Sequence, residues 1–164
     1  MKQLLLTLTL SLFMATSAHA HGNISKLPDS VQVLQYRMLL YMDPGDAATR
    51  NKLAMALYRT GKIDEAKTEL ETILRENPSD FDAQDGMGIV LLKAGQPREA
   101  LAHLEKARSL KKTDMLVHVH LAAVYEKLGQ KDKAAAELAR ARKLATSPEM
   151  EQQITRELQL VTGS

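Results

Sequence analysis

The feature that most constrains the fold of this chain is a repeat of 34 residues, visible as columns of identical residue types in one register. The columns are glycine (Gly61, Gly95, Gly129), alanine (Ala66, Ala100, Ala134) and leucine (Leu70, Leu104, Leu138). Several columns that agree in one register indicate a tandem array of a small structural unit, in which each unit buries its apolar face against its neighbours.

Each unit is predicted to be a pair of antiparallel helices. The first half of the first unit carries Leu53 and Leu57 at helical spacing, and Gly61 supplies the left-handed residue that ends a helix. A second helical stretch follows and ends at Asn77-Pro78, because the residue before a proline avoids the helical region. A column of small residues lets the two helices approach closely. It consists of Ala54, Gly88 and Ala122.

This order of small residue, leucine, glycine, alanine and proline with a period of 34 resembles the tetratricopeptide repeat. The resemblance covers about residues 29–162 and implies an all-α fold. It implies in particular a right-handed α-solenoid of antiparallel helix pairs, in which the first helix of each pair forms the inner wall. Three full units are expected, at residues 47–80, 81–114 and 115–148. Two columns depart from the family. Its first-helix aromatic residue is replaced by Arg50, Gln84 and His118, and its loop proline is replaced by Lys112 and Thr146 in the second and third units.

Both ends of the array are predicted to carry an extra helix. Residues 29–43 resemble a second helix without its first, and residues 148–162 a capping helix that starts with a cap, a proline and an acid at Ser147-Pro148-Glu149. The polar outer face of the last helix suits a solvating cap. The expected packing positions are Val31, Leu34, Tyr36, Leu39 and Met42 in the first of these helices, and Met150, Ile154, Leu158 and Val161 in the second.

Residues 1–20 have the pattern of a secretory signal peptide. Lys2 precedes an apolar run, Leu4 to Ala15, that is shorter than the roughly 20 residues of a membrane span. Ala18-His19-Ala20 then places small residues at both positions that define a cut after Ala20. Cleavage would leave residues 21–28 as a flexible N-terminus and no stable membrane span. The expected location is the periplasm, with secretion as the alternative.

The composition excludes several classes of function. The 164 residues contain no cysteine, which removes disulfides, thiolate metal sites and cysteine catalysis. The formal net charge is only +2 and tryptophan is absent, so nucleic acid is not the expected partner. No catalytic constellation has the required spacing, and the chain is therefore predicted to be non-enzymatic and to need no cofactor.

The histidines are the remaining candidates for metal binding. His118 and His120 lie two residues apart on a predicted helix, roughly 200° around its axis, so they do not chelate one ion together and are expected in the core or the groove. Cleavage after Ala20 would make His21 the N-terminus, where an amine and an imidazole bind copper(II) weakly. Copper handling is the least favoured hypothesis, and no metal site is predicted.

The partner-binding surface is expected on the inner wall, at first-helix positions that face away from the second helix. An apolar stripe of Met55, Ile89 and Ala123 lies beside a basic stripe of Arg59, Lys93 and Lys127, which suits a peptide segment with apolar and acidic residues. Alternatively, the apolar stripe only packs the first helices together. The candidate groove residues are Asn51, Lys52, Met55, Tyr58, Arg59, Asp85, Ile89, Leu92, Lys93, Leu116, Val119, Glu126 and Lys127.

Two main hypotheses for function follow. The leading one is a non-enzymatic periplasmic adaptor or scaffold that binds a peptide segment of another cell-envelope protein during complex assembly. The alternative, which rests on fold analogy, is an assembly chaperone for exported redox proteins such as c-type cytochromes. Some family members grip a C-terminal carboxylate with a set of lysines and asparagines. Only Asn51 matches that set, so this specificity is not predicted.

Overall fold

The computed structural model describes residues 24–163, and every regular element in that range is helical, which confirms the all-α prediction. A single turn of 3₁₀ helix, Ile24–Lys26, precedes eight α-helices. They are α1 (Asp29–Met42), α2 (Ala47–Arg59), α3 (Ile63–Glu76), α4 (Phe81–Lys93), α5 (Pro97–Leu110), α6 (Met115–Lys127), α7 (Lys131–Leu144) and α8 (Pro148–Thr162). The predicted signal peptide and residues 21–23 lie outside the described residues.

Three helix pairs begin 34 residues apart, at Ala47, Phe81 and Met115. Within each pair the helices pack closely, and each second helix also packs on the first helix of the next pair. The backbones of the first helices α2, α4 and α6 approach one another in sequence, whereas those of the second helices α3, α5 and α7 lie further apart and α5 and α7 meet through the Arg108–Glu137 ion pair. The array therefore curves with the first helices on its inner side, and we call their solvent-facing surface the inner wall.

The repeat period fixes where the helices of each pair begin and end. Asp46, Asp80 and Asp114 each accept a hydrogen bond from the backbone N–H three residues later, at 3.0, 2.9 and 3.2 Å, and so cap the first helices. The turn into each second helix contains a glycine of positive φ, for example Gly95 at 76°. In the same turn, the backbone N–H of Gln96 donates a hydrogen bond to the carbonyl of Leu91.

The core runs between the helix pairs. Its largest members, Leu53, Leu57, Leu70, Leu104 and Leu121, are each at most 1% exposed. The helices of the second pair approach so closely at Gly88 that a Cβ on this residue would lie 2.4 Å from Cγ of Leu104. The side chain of Leu104 therefore occupies the space that a side chain at residue 88 would need.

The packing of α1 differs from the prediction. Of the five expected packing residues only Tyr36 is buried, whereas Val31, Leu34, Leu39 and Met42 are exposed. The face that packs on α2 is instead formed by Gln32, Val33, Tyr36 and Leu40. The prediction was wrong because it assumed apolar neighbours on both sides of the helix, and within the described residues α1 has a helix on one side only.

The predicted flexible segment 21–28 is partly structured, because residues 24–28 belong to the ordered part of the chain. The Gln32 amide donates to the carbonyl of Leu27 at 2.7 Å, and Ile24 packs against the core. The segment is therefore held against α1 from residue 24 onward.

Helix α8 leaves the path of the array. Whereas α4 and α6 pack broadly on the preceding second helix, α8 packs mainly on α6, reaches α4 and barely contacts α7. A cleft of about 570 Å³ consequently lies between α7 and the end of α8, lined in part by Ala134, Leu138 and Leu158. The cap is thus displaced onto the inner wall. Among residues 24–163 no helix combines the length and apolarity needed to cross a membrane.

Candidate functional site

The thirteen predicted groove residues all lie on the first helices, but only some of them are accessible on the inner wall. Lys52, Lys93, Glu126 and Lys127 are exposed, and Asn51, Met55, Tyr58, Asp85 and Leu116 are half-buried. Ile89, Leu92 and Val119 are buried, so they are not free to contact a partner. The accessible apolar part of the wall therefore lies mainly on α2, with Leu116 on α6 in addition.

The buried members of the predicted apolar stripe belong to the core. Ile89 and Ala123 are 5% and 2% exposed, so the alternative of packing within the fold holds for these two positions. Val119 is covered from the C-terminal side, in a cluster with Met115 and with Ile154 of α8. The prediction for Val119 was wrong because it placed α8 at the end of the array.

Arg59 was predicted in the basic stripe and lies instead at the joint between α1 and α2. Its Nε donates to Oδ1 of Asp29 at 2.7 Å, and Nη2 donates to Oε1 of Gln32 at 2.9 Å. The guanidinium therefore holds the first helix to the array. The stripe is reduced to Lys93 and Lys127, which are both exposed.

A buried ion-paired histidine joins three helices at the wall. Nδ1 of His120 in α6 donates to Oδ1 of Asp85 in α4 at 2.7 Å, and Nε2 donates to Oε1 of Glu157 in α8 at 3.2 Å. Burial alone would lower the pKa of His120, but the charge of Asp85 and the hydrogen bonds to both carboxylates outweigh it and raise the pKa to about 10. The imidazole is thus a cation that fixes α8 to the wall.

The influence of α8 extends to the first helix pair. Burial, and in addition the negative charge of Glu157, raise the pKa of Tyr58 in α2. The hydrogen bond from His120 lowers the pKa of Glu157 itself, which keeps this carboxylate ionised. A single acidic residue on α8 therefore acts electrostatically on both α2 and α6.

Asn51 is an unusual member of the wall. Its Oδ1 is buried and has no hydrogen-bond partner among the residues that the structure describes. A Cβ at Gly86 would lie 3.4 Å from this oxygen and 3.4 Å from Sδ of Met55, so the missing side chain at Gly86 leaves room beside both groups. A buried acceptor without a partner costs about 1–3 kcal/mol, and such groups are often found where a protein has a function to perform.

Each helix pair is also held by a polar clamp that the sequence analysis missed. In the second pair, Gln84 donates to the carbonyl of Pro78 at 2.8 Å and accepts from Nδ1 of His103 at 2.7 Å. The first pair uses Arg50 with the carbonyl of Pro44 and with Glu69, and the third uses His118 with the carbonyl of Lys112 and with Glu137.

Each clamp is built on the residue that replaces the family's first-helix aromatic residue. These residues are Arg50, Gln84 and His118. The signal that identifies them is a second polar column 19 residues later, formed by Glu69, His103 and Glu137. Two polar columns in one register indicate pairing between the two helices of a repeat.

A cleft of about 730 Å³ lies on the other side of the array, between α5 and α7. It is lined by several basic residues, but Arg108 pairs with Glu105 and Glu137, and Arg140 pairs with Glu137. These carboxylates neutralise much of the positive charge, so the cleft offers no concentrated anion site. No group of three or more histidine, aspartate or glutamate side chains within residues 24–163 is arranged to hold a metal ion.

Fold and wall together define a helical-repeat protein that carries the first helices of its pairs on the inner side. The family model of the tetratricopeptide repeat matches residues 31–88 and 91–152. The chain belongs to the tetratricopeptide repeat family, whose members act as scaffolds for protein–protein interaction. No curated protein matches the sequence.

Solved structures of similar fold are tetratricopeptide repeat proteins. TTC0263, a thermophilic TPR protein of Thermus thermophilus, is 22% identical with a TM-score of 0.69, and the match covers 93% of this chain and 81% of that one. MamA AMB-1 is 23% identical with a TM-score of 0.57, covering 70% and 67% of the two chains. MamA MSR-1 is 21% identical with the same TM-score, covering 76% and 68%. At these identities the likeness supports the fold alone.

Proposed function

We propose that this protein is a non-enzymatic periplasmic adaptor that binds a peptide segment of another cell-envelope protein on its inner wall, as part of complex assembly. The family supplies the general function of binding proteins. The peptide character of the partner and the location are inferences from this chain's own residues.

The observation that carries the proposal is the position of α8. This helix lies on the wall with Ile154 buried beside Val119 and with Glu157 bonded to His120. The wall thus already holds one amphipathic segment through an apolar residue and an acidic residue. A segment from another protein with the same two features would match the chemistry of the wall.

The part of the wall that α8 leaves accessible lies mainly on α2. Met55 and Tyr58 offer half-buried apolar surface, and Lys52 next to them is exposed. Asn51 lies beside them, with a buried amide oxygen that has no hydrogen-bond partner among residues 24–163. Lys93 and Lys127 extend the positive charge along the wall. Apolar anchors flanked by cations favour a partner segment with apolar and acidic residues.

The proposed location rests on the pattern of residues 1–20, a basic start, an apolar run and a small-x-small site. Protein recovered from the periplasm is expected to have the intact mass of a chain that begins at His21. A mass that retains Met1 to Ala20 would contradict cleavage and favour a membrane anchor.

Site-specific photocrosslinking in cells tests the wall directly. A photoreactive amino acid placed at Met55 or at Tyr58 is expected to form one and the same adduct, identifiable by mass spectrometry as an envelope protein. The matched control is the same residue at Ala102, which is exposed on α5 on the opposite side of the array. Adducts of equal yield from Ala102, or an adduct from Ala102 alone, would move the binding surface to the outer side.

A further inference from the structure

The outer face of α1 is the most apolar exposed surface of residues 24–163. Seven of the nine large hydrophobic residues that are exposed in this range lie between residues 27 and 42. Leu34 is 65% exposed, Met38 63% and Tyr41 85%. Scattered exposed apolar residues are normal, but a cluster of this size marks an interaction site.

The cluster forms a regular seam along the helix. Val31, Leu34, Met38 and Tyr41 follow one another along α1 at intervals of three, four and three residues, the spacing of a helix seam that packs against another helix, and Leu27 lies four residues before Val31, just ahead of the helix. We call these five residues the α1 seam. The seam lies on the opposite side of the helix from Val33, Tyr36 and Leu40, which pack toward α2. Helix α1 is therefore apolar on two sides, and such a helix is normally covered on both.

The position of α1 in the array explains why the seam is open. The second helices α3 and α5 are each packed between two first helices, whereas α1 packs on α2 alone among the described α-helices, apart from the ion pair of Arg37 with Glu65 in α3. With the cleavage proposed above, only residues 21–23 precede the 3₁₀ turn, too few to form a covering helix. Among residues 24–163, no helix therefore covers the seam.

We propose that the α1 seam is the interface of a symmetric homodimer, in which α1 packs antiparallel against α1 of a second copy. This inference rests on the proposed cleavage and is independent of the partner-binding wall.

The seam is complementary to itself when the two helices run antiparallel. If the twofold axis crosses the seam at the height of residue 36, Leu34 faces Met38 of the second copy and Val31 faces its Tyr41, so that the smallest seam residue meets the largest. A symmetric interface needs this reciprocal matching. The antiparallel arrangement also sets the helix dipoles in opposite directions, which is favourable.

Charge and area are compatible with this interface. The charged residues nearest the seam are already neutralised within the chain, because Arg37 pairs with Glu65 and Asp29 pairs with Arg59. No unpaired like charges therefore oppose each other across the axis. The exposed apolar side chains of the seam provide on the order of several hundred Å² per copy, at the small end of specific protein–protein interfaces.

The experiment uses the chain that begins at His21. Its mass in solution is measured by sedimentation equilibrium over a series of protein concentrations. We expect a dimer. Leu34→Lys and Met38→Glu, made separately, should each raise the dimer dissociation constant on the order of 100-fold, because each symmetric dimer would bury two unpaired charges. Both positions are mostly exposed within the chain, so circular dichroism should show an unchanged fold. The matched control is Leu160→Lys on α8, an exposed leucine outside the seam, which should leave the dimer intact.

Mixing the two variants tests the pairing itself. A heterodimer of Leu34→Lys with Met38→Glu places the new lysine opposite the new glutamate, and leaves Met38 of one copy opposite Leu34 of the other. We expect dimers to reappear on mixing and to weaken again with salt. A monomeric chain at every concentration, a dimer that both substitutions leave intact, or mixtures that stay monomeric would each overturn the proposal. A monomeric protein that retains residues 1–20 would assign the seam to the apolar run of residues 4–15 instead of to a second copy.

Discussion

Nε2 of His120 lies 3.2 Å from Oε1 of Glu157, and through this bond the last helix of the chain is joined to the inner wall of the repeats. The other ring nitrogen is occupied by Asp85 at 2.7 Å, so both protons of the imidazolium are used. The site has no spare histidine nitrogen for catalysis or metal binding. Its role is to determine where α8 lies and hence how much of the wall a partner can reach.

We expect the stability of the protein to depend on pH through this site. The folded pKa of His120, about 10, is above its ordinary value of 6.5, so its contribution is complete below about 6.5 and is lost as pH rises toward 10. The pKa of Glu157 is lowered from 4.5, so its contribution is present above 4.5 and is lost as pH falls. Urea unfolding at a series of pH values should therefore show a maximal free energy of unfolding between these limits.

The variant His120→Gln separates this site from other titrating groups. It should cost about 3–5 kcal/mol near pH 6, because Asp85 and Glu157 lose the cation between them. The decline in stability from pH 6.5 to 10 should become shallower than in the unchanged protein. If the variant and the unchanged protein decline in parallel, His120 is not the group responsible.

The fold was predictable because the same residue types recur at equivalent positions in three successive repeats. A single alanine or leucine says little about structure, but Ala66, Ala100 and Leu104 in one 34-residue register specify the contacts within and between helix pairs. The glycine column equally predicted the turns, since Gly61, Gly95 and Gly129 all have positive φ. The same pattern identified the tetratricopeptide repeat, and the family match confirms it.

The candidate site was less predictable because it departs from the repeat. Arg59 occupies a wall position by register, yet it binds Asp29 and Gln32, because the incomplete end of the array brings a carboxylate and an amide within reach. Val119 is buried by α8, whose path onto the wall depends on the long-range pairing of His120 with Glu157, 37 residues apart. An interaction that occurs only once in the molecule does not place matching residues at intervals of 34, so the repeat pattern does not reveal it.

Gly88 and Leu104 should be energetically coupled. Replacing a glycine within a helix by alanine usually adds about 1 kcal/mol of stability. Here Gly88→Ala should instead cost roughly 1–3 kcal/mol, because its Cβ would lie 2.4 Å from Cγ of Leu104. Leu104→Ala should cost roughly 2–5 kcal/mol by leaving a cavity. In chemical denaturation the double variant should lose less than the sum by about 1 kcal/mol or more, since the new methyl group enters that cavity. Strict additivity would contradict the close approach.

Gln84→Ala tests whether the polar clamps support the helix pairs. The substitution removes the partner of the Pro78 carbonyl and of Nδ1 of His103. We expect a loss of about 1–3 kcal/mol in the free energy of unfolding, because these groups stay partly buried. Gln153→Ala, at an exposed position in α8, is the matched control and should change stability by less than about 0.5 kcal/mol. Equal effects of the two substitutions would show that the clamp contributes nothing specific.

The charge of the wall can be reversed without disturbing the joint formed by Arg59. Lys93→Glu with Lys127→Glu changes two exposed residues in the last turns of α4 and α6. Calorimetry with the envelope protein that crosslinking identifies should show an affinity loss of about 10-fold or more at low salt, which shrinks as salt is added. Lys106→Glu with Lys143→Glu makes the same change of charge on α5 and α7 and is the control. The wall is the binding surface only if the first pair of substitutions weakens binding more than the second. Equal losses would indicate attraction by net charge, and a larger loss in the control would place the partner on the outer side of the array.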